Sequence, residues 1–274
     1  MKQPHSITGT INVNFDEMRE IVAVSIRRAS AFLRFGLDDL ETRDGGDFNL
    51  TAGVQYRFWP EVVSADDRVG AREEYRSWLV GSCLRELDLF YGLFLDKVWW
   101  AIEVGEIHGT AVPSDFMFDA KFSRITNVAS KQKQVAEKLS SADHYEELNS
   151  LSLARNTLAH NAGVVRSPVD CNNAARDTLE VKWLAFDMLA IRGGEERIVD
   201  NLPLDTNELP GEGETKIALR VTQRVLAFPA NTRVGLSLPQ LAELCLFYNI
   251  IADKTIEALL DYYRAKGLIA QPEN

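Results

Sequence analysis

Arg155, Asn156 and His160 stand within six residues of one another in the stretch Tyr145 to Val165, YEELNSLSLARNTLAHNAGVV. An arginine presents a fixed fork of donors that suits phosphate oxygens, a histidine titrates near neutrality, and an asparagine can orient either one. Side by side they suit chemistry at a phosphate: a cation against developing charge and an imidazole to move protons.

The surrounding pattern is helical. Tyr145, Leu148, Leu151 and Leu158 fall at helical spacing, and Arg155, four after Leu151 and three before Leu158, projects from the apolar side. The positions three and four residues away from it are Leu151, Ser152, Leu158 and Ala159, so its own helix offers it no carboxylate. Its counter-charge must come from another helix, another subunit or an anionic ligand. His160 lies four residues after Asn156, within reach of its amide. Asn161-Ala162-Gly163 reads as a helix stop, with Gly163 suited to a left-handed cap. In an unbroken helix His160 would lie about 140° around the axis from Arg155, and a stop here is expected to let it swing back. The alternative is that both are cations stabilised by a helix C-terminus, which leaves the arginine's position on the apolar side unexplained.

Arg155-Asn156-Thr157-Leu158-Ala159-His160, continued by Asn161-Ala162-Gly163, resembles the motif of the HEPN superfamily of helical nucleotide-binding and ribonuclease domains. None of the other histidines, His5, His108 and His144, has an arginine at such a distance before it. The resemblance implies a helical bundle with the motif at the end of its third core helix. It also implies a metal-independent endoribonuclease that leaves 2′,3′-cyclic phosphate and 5′-hydroxyl ends, a stress or phage-defence effector. Arg155 would bind the scissile phosphate, His160 would be general base or acid, and Asn156 would orient the pair. Asn161 and Arg166 are the expected substrate contacts. Two copies of the motif would meet in a homodimer with a composite site, with RNA as substrate, no cofactor or metal, and an antitoxin or regulatory protein as a further partner. Many toxins of that superfamily carry a tyrosine two residues after the histidine, which a partner modifies; Ala162 stands there, which puts that control in doubt. The alternatives are a noncatalytic nucleotide-binding or protein-interaction module of the same kind, and an unrelated helical interaction protein.

Composition bounds these readings. A chain of 274 residues with 46% hydrophobic content can bury a substantial core. A net charge of −10 argues against broad nonspecific nucleic-acid binding, so a nuclease here needs a locally basic site. Cys83, Cys171 and Cys245 are widely spaced and odd in number, which points to a reducing cytoplasm without a disulfide framework or zinc site. The start MKQPHSITGT lacks an apolar signal region, and the most apolar window, Leu87 to Ile107, contains Asp88, Asp96, Lys97 and Glu103, so no membrane span is expected. Walker-type glycine loops, His-Glu-x-x-His, Cys-x-x-Cys and Gly-x-Ser-x-Gly are all missing.

The elements that must position the motif follow from periodicity. The expected fold is mainly α, a HEPN-like bundle over 61–274 with a small antiparallel β insertion at about 167–236, before the last helix. Residues 1–60 form an N-terminal helix and accessory segment. A first helix is predicted over 15–33, capped near Asn14 or Asp16 and followed by broken pattern from Gly36 to Pro60, with a turn at Asp44-Gly45-Gly46-Asp47 and a short strand over 54–59. A long helix over about 71–107 places Tyr75, Trp78, Leu79, Cys83, Leu87, Tyr91, Phe94 and Val98 inward as the backbone of the core. The next helix is predicted to start at Ser114, with Phe118, Phe122, Ile125, Val128, Val135 and Leu139 inward and Lys121, Arg124, Lys131, Lys133 and Lys138 as an outer basic stripe that could track RNA. Ser141-Ala142-Asp143 starts the motif helix, and Arg166, Arg176 and Lys182 after it can lend positive potential. Leu179, Val181 and Trp183 alternate, as do Ile217, Leu219, Val221 and Val225, which predicts an antiparallel sheet. The final helix is capped by Ser237 and turns Leu241, Leu244, Cys245, Tyr248, Ile251, Ala252, Ile256 and Leu259 inward.

Overall fold

Asn14 starts the first helix: its Oδ1 accepts from the backbone amides of Asp16 and Glu17, 3.1 Å each. The computed structural model describes residues 12–42, 48–51, 54–56, 64–109, 120–199 and 213–270; the expected turn at 44–47, the Ser114 cap and Phe118 lie outside them. Helix α1 spans Phe15–Thr42, well past the predicted end. Gly36 does not stop it. A Cβ there would come within 2.6 Å of Leu79 Cδ2, so this glycine is where α1 presses against the next helix. A short hairpin, β1 (Phe48–Thr51) and β2 (Val54–Tyr56), follows.

Helix α2, Ala65–Ile107, runs 43 residues and touches α1, α4, α5 and α6, so it is the axis of the bundle. Leu79, Cys83, Leu87, Tyr91, Phe94, Leu95, Val98 and Ile102 are all buried on its inner side. Two of the aromatics expected inward are not: Tyr75 and Trp78 are exposed and stack on each other with centroids 5.7 Å apart. They lie toward the helix's N-terminal end, where the core no longer covers it.

The single helix expected after Gly109 is two pieces, α3 (Ala120–Ser123) and α4 (Val128–Leu139). Asn127 makes the break, taking an extended conformation and accepting from the Ser130 amide at 2.8 Å to cap α4. The change of axis also turns Lys131 inward. It is buried on Asp96 at 2.6 Å, so the five cations do not form one basic stripe. Lys138 is paired with Glu106 at 2.8 Å.

Helix α5, Tyr145–His160, carries the Arg155 motif, and between it and α6 (Leu238–Ala265) lie β3 (Thr178–Arg192), β4 (Glu195–Ile198) and β5 (Lys216–Pro229). The strands form an antiparallel sheet in the order β4-β3-β5, with Phe186 opposite Val221 and Met188 opposite Leu219. Strand β3 buries Leu179, Val181, Trp183 and Ala185, and Trp183 Nε1 donates to Glu243 of α6 at 3.0 Å. Ser237 caps α6 in a capping box with Gln240, and all eight residues predicted for its inner stripe are buried. The fold is thus mostly helical with a small three-stranded antiparallel sheet. No described helix is long and apolar enough to cross a membrane.

Candidate functional site

Arg155 finds its counter-charge on another helix. Its Nη1 lies 2.6 Å from Oδ2 of Asp88, a carboxylate of α2 whose side chain is 2% exposed. Tyr248 of α6 donates to the other oxygen at 2.8 Å, and Ser152, one turn before Arg155, donates to Oδ2 at 3.2 Å. Three donors from two helices therefore converge on one carboxylate of a third, in the seam where α5 and α6 meet α2. Gly81 sets that closeness on the α5 side, because a Cβ there would stand 3.1 Å from Leu158 Cβ. Burial pushes the Asp88 carboxyl above the usual range, against the opposing pull of Arg155, Tyr248 and Ser152. The same surroundings drive the Tyr248 hydroxyl well above its ordinary value, burial first and the Asp88 charge second.

The far edge of the guanidinium is held by Asn156, whose Oδ1 accepts from Nη2 at 3.0 Å and from Nε at 3.3 Å. The amide predicted to serve either cation is committed to the arginine. Arg155 keeps 28% of its side chain exposed.

His160 is the last residue of α5, so the helix includes it and the expected swing toward Arg155 does not occur. It stays exposed, about 140° around the axis from Arg155, as five residues of α-helix dictate. It shares its flank with Asn149, Leu153 and Asn156, at spacings of four, three and four residues. Asn149 and Leu153 also line an open depression of about 470 Å³ together with Val169, Cys171, Asn172 and Arg176.

The helix stop is as the sequence suggested, with one addition. Gly163 has φ +79° and its amide donates back to Thr157 O at 3.2 Å, but Ala162 before it is also left-handed at +49°. A Cβ on Gly163 would lie 3.3 Å from Leu158 Cδ2. Gly163→Ala is expected to lower stability by about 1–2 kcal/mol through the left-handed φ, read as a shift in a urea or thermal unfolding midpoint.

Asn161 and Arg166, the expected substrate contacts, are both turned to Asp170. Asn161 Nδ2 donates to its Oδ2 at 3.1 Å, and Arg166 reaches the same oxygen with its backbone amide at 2.9 Å and Nε at 3.1 Å. They close the loop after the helix stop. Burial raises the Asp170 pKa, but the bonds from Arg166 and Asn161 outweigh it and hold the carboxyl below the usual range. A depressed carboxylate stabilises the fold above the ordinary range and loses that contribution as pH falls through its folded value. Acid unfolding followed by circular dichroism should show a loss below about pH 4 that is smaller in Asp170→Asn. Of the other cations near the motif, Arg176 donates to Cys171 O at 3.2 Å and Lys182 pairs with Glu146 at 3.2 Å.

Asp88, Ser152 and Tyr248 are the members of this network that the sequence did not announce. An aspartate one residue from Leu87, in the apolar middle of α2, is the available signal. Among the described residues no group of three His, Cys, Asp or Glu side chains could hold a metal ion. No protein-family model, curated protein or solved structure matches this chain.

Proposed function

We propose that the chain is a HEPN-type, metal-independent endoribonuclease acting as a homodimer with a composite site. The observation that supports this is the state of Arg155: it is clamped on one edge by Asp88 and on the other by Asn156, and still reaches the surface. A guanidinium fixed in this way is preorganised for a phosphate oxygen. In the reaction, one histidine takes the proton of the 2′-hydroxyl as that oxygen attacks phosphorus. A second gives a proton to the departing 5′-oxygen as the P–O5′ bond breaks, leaving a cyclic phosphate and a 5′-hydroxyl. A single chain holds Arg155 and His160 on different flanks, so the composite site takes its second histidine from the mate.

A noncatalytic nucleotide-binding or protein-interaction module is the second reading. It is favoured by the carboxylate of Asp88, which offsets the charge of Arg155 inside the chain, and by the net charge of −10.

The test is incubation of wild type, Arg155→Lys and His160→Ala with total RNA and tRNA in EDTA, with analysis of product ends. Cleavage by wild type alone, leaving cyclic phosphates, is the expected result. Absence of cleavage by three folded proteins would move the assignment to the binding module.

A further inference from the structure

Four cations stand near the motif, and three are neutralised within the chain: Arg155 by Asp88, Arg166 by Asp170 and Lys182 by Glu146. Arg176 is not. Its Nη1 donates to Cys171 O at 3.2 Å, and among the described residues its guanidinium meets no carboxylate. The acid beside it in sequence, Asp177, is occupied, accepting from Asn173 Nδ2 at 2.7 Å and Thr178 Oγ1 at 2.9 Å. Arg176 closes a turn, its amide donating to Asn173 O at 3.1 Å, and holds a left-handed φ of +56° that glycine takes at less cost. The turn and the carbonyl bond fix this side chain in the wall of the depression of about 470 Å³ beside α5.

Much of that wall is set before any ligand arrives. The amide of Asn172 bonds the Glu180 backbone on both sides, at 2.8 and 2.7 Å, and Asn173 Oδ1 accepts from the amides of Asp177 and Thr178 at 3.1 Å each. Asn149 is the exception: its half-buried side-chain amide bonds nothing among the described residues, which leaves a donor and an acceptor for a ligand. Leu153 and Val169 supply the apolar part of the lining.

We infer that this depression holds one unpaired nucleotide of the RNA strand, its phosphate on Arg176 and its base edge on Asn149, with Leu153 and Val169 against the base. The volume falls in the range of about 300–1,000 Å³ common to small-ligand sites. A lone guanidinium beside a carboxamide and two aliphatic side chains matches a nucleotide, which has one anionic group, a hydrogen-bonding edge and an apolar face. Asn149, Leu153, Asn156 and His160 lie within about 60° of one another around α5, and the first and last are about 16 Å apart along its axis. These four positions carry no carboxylate, so they offer a strand a path from the depression to His160 free of like charge. The inference rests on the ribonuclease reading for the identity of the strand, and it meets the need for local positive charge in a chain of net charge −10.

The test is titration of a fluorescein-labelled single-stranded RNA with the full chain carrying His160→Ala, in EDTA at several salt concentrations, with Arg176→Gly or Asn149→Ala added. Glycine accepts the left-handed turn and alanine suits a helix, so both variants should keep the unfolding midpoint of the background. Arg176→Gly is expected to weaken binding about tenfold and to lower the slope of log Kd against log salt by about 0.7, the share of one phosphate on a single strand. Asn149→Ala should weaken it about threefold to tenfold with the slope unchanged. Cleavage of the same RNA by the wild-type chain is measured alongside. Variants that bind as the background does, beside a wild type that cuts, would overturn the subsite and leave the ribonuclease reading in place. Weaker binding with these two slopes, beside a wild type that cuts nothing, would remove the ribonuclease reading and keep the depression as a nucleotide site. No binding by the background at any salt concentration overturns the subsite whether or not the wild type cuts.

Discussion

Asp88→Ala is expected to cost the fold about 3–5 kcal/mol, because it removes one partner of a buried ion pair and strands the other groups around it. Arg155 would keep a charge in a largely dry seam, and the hydroxyls of Tyr248 and Ser152 would lose their acceptor. The loss spans three helices, so it should appear in the global unfolding transition as a lower denaturant midpoint with an unchanged slope. Replacing both charged partners, Asp88→Leu with Arg155→Met, should recover most of that loss, since well-packed apolar pairs often match buried ion pairs. A single variant as stable as wild type would show that the seam relaxes around the missing carboxylate. The pH dependence has a definite sign. A carboxyl raised by burial binds its proton more tightly in the folded chain than in the unfolded one. The stability tied to that proton is present at acid pH and declines as pH climbs from the ordinary carboxylate range through the raised value. Asp88→Asn should abolish this slope, which unfolding at a series of pH values would reveal.

The elements around this network were legible where one periodic signal dominated. The α6 stripe and its Ser237 cap, the inner side of α2 and the Gly163 stop are local features that one residue type at one spacing can specify. Features settled by a neighbouring element were not. Gly36 reads as a breaker, yet the contact that retains it belongs to Leu79. Lys131 reads as surface, but the axis change at Asn127 and the carboxylate of Asp96 draw it inside. Alternation in β5 showed a strand but not which face the bundle would cover, and its aliphatic side lies outward. The site divides in the same way. The position of Arg155 on the apolar side demands a partner from outside its helix, and the demand is met by Asp88, whose place in the apolar middle of α2 is its one local mark. A stop at Asn161-Ala162-Gly163 suggests that His160 can turn back, but it frees only the residues after His160, which α5 keeps in its last turn.

Under the ribonuclease reading, His160→Ala is expected to lower cleavage by about 10²–10⁴-fold, the ordinary scale for losing a general acid or base, while leaving stability unchanged. The second half of that expectation comes from its exposure: His160 stands exposed at the last position of α5. Arg155 is the opposite case, because its guanidinium is shared between the seam and the surface. Arg155→Ala would unpair Asp88 and damage fold and activity together, so it cannot separate the two roles. Arg155→Lys can. A lysine can keep one ion pair to Asp88, but it has no second edge to hold Asn156 while presenting donors outward. The expected outcome is a protein close to wild type in its unfolding midpoint and reduced in single-turnover cleavage by a factor comparable to that of His160→Ala. Cleavage by Arg155→Lys at the wild-type rate would mean that the arginine's planar fork never meets the phosphate. The Asp88 pair would then be its whole purpose, and the noncatalytic module would be the better account of the chain.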